Sequence, residues 1–253
     1  MAKSTEDGHM WDILKVYVPI TILVVAGFVV AWQFVDPAPP KTITIATGAA
    51  DGAYTASAKN YQEILAEAGL KVTIRHTAGA AENIQLLNDP KSGVDVAFVQ
   101  GGIGDPFGAP NLISIASVFL EPLWVFVRSD TEPQRLITLK GKRLAIGAAG
   151  SGTRVLAKTL LVANGIDDEN SSFQSIGGAD AARALKDGKV DAAFFVAARM
   201  SETMNSLLRD PNIRLMNFAR AEAYKRLYAY LSRVTVPEGA LALDTNKPPR
   251  DLS

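Results

Sequence analysis

The residues best suited to chemistry fall in one short segment, Gly147-Ala148-Ala149-Gly150-Ser151-Gly152-Thr153-Arg154. Its glycines permit a tight turn, and a helix starting just after that turn presents free amides and the positive end of its dipole to an anion. Ser151 and Thr153 supply hydroxyls that either cap the helix or touch a ligand, and Arg154 either pairs with a carboxylate or faces solvent. The segment nearly matches a phosphate-binding P-loop, but Thr153 stands where that loop needs its lysine and Arg154 where it needs a magnesium-binding hydroxyl. Nucleotide hydrolysis is therefore disfavoured. A nucleophile elbow is disfavoured as well: Ala149 takes the place of its first glycine, and His76 is the only histidine beyond His9.

A second group lies on earlier turns. Asp51 and Tyr54, beside Gly52, offer a carboxylate and an aromatic platform, although Asp51 equally suits a helix cap. Gln100 follows an apolar run and precedes Gly101-Gly102, so its amide serves either a ligand or the turn itself. Glu121, before Pro122, either meets an ammonium or arginine group or stiffens a hinge. His76 is assigned no role, because no second histidine or cysteine joins it as a metal ligand. The absence of cysteine removes thiolate nucleophiles and disulfides. No catalytic residue, metal site or cofactor is expected, and the reading is of a binding protein rather than an enzyme.

These turns must be positioned by a scaffold, and the chain spells that scaffold twice. Ile45 to Gly52 is a strand end entering a Gly-rich turn, followed by a helix that closes at Ala68-Gly69-Leu70; Ala145 to Gly152 repeats this with a helix closing at Asn164-Gly165-Ile166. Glycine stands in each copy where a left-handed C-cap residue belongs. Next, Thr77 to Asn83 leads through Leu86-Leu87 to Val94-Asp95 and the run Val96 to Val99, while Ile176 to Asp180 leads through Ala184-Leu185 to Val190-Asp191 and Ala192 to Val196. Such non-alternating runs suit parallel strands covered on both faces.

The expected fold class is α/β, two similar βαβαβ lobes joined by a hinge, with ligand turns at the carboxyl edges of both sheets. Lobe 1 is placed at 42–122 and lobe 2 at 123–236, with 237–253 as a return segment or tail. Leu112 to Ser117 and Leu123 to Arg128 read as extended runs, the second carrying the chain into lobe 2. A helix near 199–209, a strand Ile213 to Met216 and the segment Tyr228 to Val236 complete that lobe. A shortened C-terminus is expected, because lobe 1 would regain a strand and a helix after a return crossing.

Lys+Arg and Asp+Glu are equal at 26 each, so no long-range field favours nucleic acid. The uncharged stretch Val16 to Val35 is long enough to cross roughly 30 Å of hydrocarbon, with Trp11, Tyr17 and Trp32 near its ends. It is read as an uncleaved anchor in the lipid bilayer, because no small-residue cleavage site precedes Asp36-Pro37. Residues 1–15 form a cytoplasmic tail and 36–41 a stiff Pro-rich linker on this reading, which puts Pro19 in the first turn of the span. Lys3 and Lys15 against Lys41 place the globular part outside.

With Gly48 to Tyr54, Thr77 to Asn83, Glu121-Pro122, Lys140 to Arg143, Gly150 to Arg154 and Asp187 to Asp191 in this order, the chain resembles the TAXI-type solute receptors of TRAP transporters, from about Lys41 to Met216. The resemblance implies a type II periplasmic-binding-protein fold, an amino acid or dicarboxylate ligand, and an ion-driven membrane permease as partner. Carried to matching positions, it nominates Gly52, Tyr54, Gly79, Gln100, Ser151, Gly152, Thr153 and Arg154. Two departures stand out: the expected helical anchor, and a first turn without the family's dense glycines and paired tyrosine. The expected function is capture of a small organic anion by cleft closure at the inner membrane, with the globular part periplasmic or extracellular. The alternative is an envelope sensor or interaction protein on the same fold, which performs no transport.

Overall fold

In a computed structural model of the chain, residues 5–34, 40–103, 111–128, 133–198 and 201–253 are described. Two units emerge, Met1–Lys41 and Thr42–Ser253. The first contains α1 (Thr5–Trp32), whose segment Leu14–Trp32 is long and apolar enough to cross a membrane. The helix starts well before the expected span, so Thr5 to Lys15, including His9, are helical rather than an irregular tail. Pro19 consequently sits inside the helix. A spanning helix tolerates this where neighbouring groups re-satisfy the freed carbonyl. Val35 and the Pro37-Ala38-Pro39 part of the linker lie outside the described residues.

The second unit holds both lobes. Lobe 1 runs β1 (Thr42–Ala46), α2 (Ala53–Glu67), β2 (Lys71–Arg75), α3 (Ala80–Asn88) and β3 (Val96–Ala97), giving a parallel sheet in the order β2-β1-β3. Lobe 2 repeats the pattern with β5 (Arg143–Ala145), α4 (Gly152–Ala163), β6 (Ser172–Gln174), α5 (Gly178–Lys186) and β7 (Ala192–Val196). Its sheet is wider, β6-β5-β7-β4-β8, because β4 (Leu123–Arg128) and β8 (Ile213–Leu215) add antiparallel strands beside β7.

The repeat extends to hydrogen bonds. After α2, Gly69 (φ +78°) lets the Leu70 amide reach the Leu65 carbonyl at 3.0 Å, and after α4, Gly165 (φ +72°) does the same for Ile166 and Leu161 at 3.0 Å. Asp95 Oδ2 accepts from the Thr44 amide at 2.8 Å, and its counterpart Asp191 accepts from the Arg143 amide at 2.8 Å, each tying the third strand of a lobe to the first. Asp191 also receives the Arg143 guanidinium at 2.8 Å. These bonds hold its carboxyl below the usual carboxylate range.

Burial is unequal. Lobe 2 packs two apolar clusters, one containing Phe126, Leu185 and Leu207 and the other Leu144, Leu161 and Phe194. Among the described residues, the lobe 1 cluster has Ile45, Ala58 and Val72 fully inside. Accordingly Ala192 to Phe195 of β7 are buried, whereas Val96 to Val99 are only half-buried.

Three sequence expectations need adjustment. The run Leu112 to Ser117 is not a paired strand, and Ile113 and Ile115 are exposed, since no neighbouring strand takes its amides. The helix expected near 199–209 is α6 (Glu202–Leu208), capped by Ser201; Arg199 lies outside the described residues. A further helix, α7 (Ala221–Leu227), was not foreseen, because its apolar face is short and none of its residues is buried. The tail folds back on lobe 2: Val236 and Leu252 exchange backbone bonds of 2.8 and 3.0 Å, and Leu252 is buried.

Candidate functional site

The second-lobe turn is built around Gly147 and Gly150, whose positive φ values favour glycine. Gly147 has φ +100°, and a Cβ there would lie 2.9 Å from the Arg154 amide nitrogen and 2.9 Å from Ser151 Oγ. Ser151 caps α4, accepting from the Arg154 amide at 3.2 Å and donating to the Ala148 carbonyl at 2.7 Å. Such a cap is worth about 1 kcal/mol. The amides of Gly152 and Thr153 carry no hydrogen bond among the described residues, as expected for the first turn of a helix. Arg154 Nη1 donates to Ser175 Oγ at 2.7 Å, which keeps the guanidinium on its own lobe, beside the end of β6.

Lobe 1 meets this turn directly. The Glu82 amide donates to the Gly150 carbonyl at 3.3 Å, and a Cβ on Gly79 (φ +128°) would stand 3.3 Å from Ser151 Cα. A Cβ on Gly152 would stand 2.4 Å from Gln100 Oε1 and 3.2 Å from Ala80 Cβ. The Gly48 turn joins the same cluster, with its would-be Cβ 3.9 Å from Gly79 Cα. The turn that meets Gly147 to Gly152 is therefore the one around Gly79, and the Gly48 turn lies behind it in the same lobe.

Gln100 lies beside Gly152 at this contact. It is only 8% exposed, and its side-chain amide makes no hydrogen bond among the described residues although it fronts the α4 amides. A buried amide without a partner is costly. Tyr54 stacks on Phe98 with ring centroids 5.3 Å apart and donates its hydroxyl to Glu121 Oε2 at 2.5 Å. Glu121 is thus engaged with Tyr54 and not facing a free ammonium site. Burial pushes its carboxyl above the usual range, and the Tyr54 hydroxyl offsets part of that; burial, then the Glu121 charge, raises the Tyr54 phenol too.

Asp51 is exposed and does not cap α2, whose N-cap is Gly52. Thr153 is half-buried beside Gly147. His76 Nδ1 lies 3.4 Å from Thr55 Oγ1, within a polar cluster under the first turn that also contains Thr47, Thr77 and Asn83. In the sequence, Thr77 to Asn83 stand out as a motif, but these residues and His76 are assigned no role; the one available signal is a polar Asn83 on the core-facing side of a short helix. No group of three or more His, Cys, Asp or Glu able to hold a metal occurs among the described residues.

The two α/β lobes have an architecture that resembles the type II periplasmic-binding-protein fold. More specifically, the chain belongs to the NMT1-like family, whose profile matches residues 45–247. Among solved structures it is similar to the alkanesulfonate-binding protein SsuA from Xanthomonas axonopodis pv. citri bound to MOPS, at 19% identity and a TM-score of 0.50, over 76% of this chain and 70% of that one. It is also similar to an ancestral arginine-binding protein bound to arginine, at 16% identity and a TM-score of 0.51, over 70% and 79%. Both likenesses concern the fold. The chain spans 57% of the periplasmic aliphatic sulphonate binding protein SsuA from Escherichia coli, at 19% identity over 70% of this chain and a TM-score of 0.47.

Proposed function

We propose that this chain is an anchored, TAXI-type receptor that captures a small organic anion of the amino acid or dicarboxylate class and delivers it to a TRAP-type permease. Residues 16–35 hold it in the inner membrane, with the globular part periplasmic or extracellular. The observation that carries this reading is the juxtaposition of Gln100 with the free amides at the start of α4. A carboxylate there receives the Gly152 and Thr153 amides, the Thr153 hydroxyl and, after release from Ala148 and Ser175, the Ser151 hydroxyl and the Arg154 guanidinium. Gly52 and Gly79 shape the opposing backbone. Asp51 borders the entrance, and Tyr54 with Glu121 forms the wall.

The test is mass spectrometry of small molecules released on denaturing the protein, followed by calorimetry with the compound found. A charge-assisted hydrogen bond contributes about 1.5–3 kcal/mol, so Arg154→Ala should weaken binding on the order of tenfold to a hundredfold. If neither Arg154→Ala nor an amide analogue of that compound binds more weakly, the anion reading fails.

One observation favours a second reading, that of an envelope sensor or interaction protein. Gln100 itself fills the space in front of Gly152, and the turns touch. On that reading no small molecule is released, and cleft substitutions alter the binding of a protein partner instead.

A further inference from the structure

Asn83 is fully buried. Its Nδ2 donates to the Thr47 carbonyl at 2.6 Å and to the Phe98 carbonyl at 2.8 Å, and its Oδ1 accepts from Thr77 Oγ1 at 2.7 Å. Thr77 Oγ1 accepts in turn from the Gly79 amide at 3.2 Å. One carboxamide thus gathers the chain as it leaves β1, β2 and β3 and fixes the turn that meets Ser151. Phe98 is the ring under Tyr54, and Gln100 lies two residues further on.

Packing alone does not demand this side chain. In lobe 2 the same helical position, defined by the same backbone bond (Asn83 to Gly79 at 3.0 Å, Ala181 to Gly177 at 3.3 Å), is taken by buried Ala181. Burying an amide where alanine suffices is unfavourable unless its bonds do something alanine cannot.

We infer that Asn83 is a positioning residue: it touches no ligand, but holds Gly79 and the Phe98 to Gln100 segment in the shape that lets lobe 1 close on lobe 2. This rests on reading the facing turns as the binding cleft. It concerns closure, so it is tested without any ligand.

The experiment is backbone amide exchange by mass spectrometry on the full chain in lipid nanodiscs, comparing wild type with Asn83→Ala, Asn83→Asp and Thr77→Val. Exchange, corrected for intrinsic rates, should rise tenfold or more in 77–83, where the Glu82 amide crosses to the Gly150 carbonyl, while 42–46 and 71–75 stay within twofold. Thr77→Val keeps both carbonyl bonds of Asn83 and should still loosen the Glu82 amide. It serves as the test if the Asn83 variants do not fold. In Asn83→Asp an ionised carboxylate would face two carbonyl oxygens, whereas the protonated acid regains one donor. Protection of the Glu82 amide should therefore recover on acidification towards about pH 5 in Asn83→Asp and not in Asn83→Ala, since burial raises such a carboxyl. A uniform rise over lobe 1, an unchanged Glu82 amide, or identical pH profiles for the two variants overturns the inference. A failure of the ligand-capture reading shows separately, as no released small molecule beside the expected exchange pattern.

Discussion

The hydroxyl of Tyr54 lies 2.5 Å from Glu121 Oε2, joining the first helix of lobe 1 to the residue where the chain leaves for lobe 2. Because burial raises the folded-state carboxyl of Glu121, the folded protein holds that proton more tightly than the unfolded chain does. Its contribution is most favourable below the free carboxyl value of about 4.3 and declines as pH rises through the elevated folded value. Glu121→Gln, which still accepts from Tyr54, should flatten this decline. Thermal midpoints from pH 4 to 7.5 check it: the variant should gain on wild type as pH rises, and parallel curves would reject the linkage.

Gly152→Ala should hold the lobes apart without unfolding either. The added methyl would meet Gln100 Oε1 at 2.4 Å and Ala80 Cβ at 3.2 Å, both from the opposite lobe. Small-angle scattering should show a larger radius of gyration than wild type, with a thermal midpoint changed by only a few degrees. An unchanged radius means that Gln100 swings away freely.

Leu161→Ala should be among the most damaging substitutions, because Leu161 has no exposed surface and belongs to the larger lobe's core. A cavity of that kind costs about 2–5 kcal/mol. Urea denaturation of the second unit alone, residues 42–253, measures it; a loss below about 1 kcal/mol would show that the core collapses around the gap.

The full chain should stay in the membrane fraction after carbonate extraction, and deletion of residues 1–40 should release it. The apolar segment Leu14–Trp32 motivates this. Release of the full-length chain by carbonate, or a mature N-terminus after Val35, would remove the anchor.

The paired architecture was legible because the same physical demand is met twice. The glycines after α2 and α4 and the aspartates at 95 and 191 recur at matching places, since a left-handed cap and a free strand amide each admit few residue types. The pairing of Tyr54 with Glu121 was not legible, since it joins residues far apart in sequence and both suited other partners. Asn83 was quoted within a motif but given no role, because its three partners come from three different strand ends that only the folded sheet brings together. The unpaired state of Leu112 to Ser117 was hidden for the converse reason: its β-prone composition says nothing about whether a neighbouring strand is present.

The thin core of lobe 1, set against the two clusters of lobe 2, bears on energetics as well as shape. A body with little buried apolar surface opens locally at small free-energy cost, so part of its order must come from whatever it closes upon. Occupancy of the cleft would then complete the folding of the weaker half, and affinity would inherit the temperature dependence of a folding reaction. Titrations at several temperatures would show a heat-capacity change too negative for the contact area of a small anion alone.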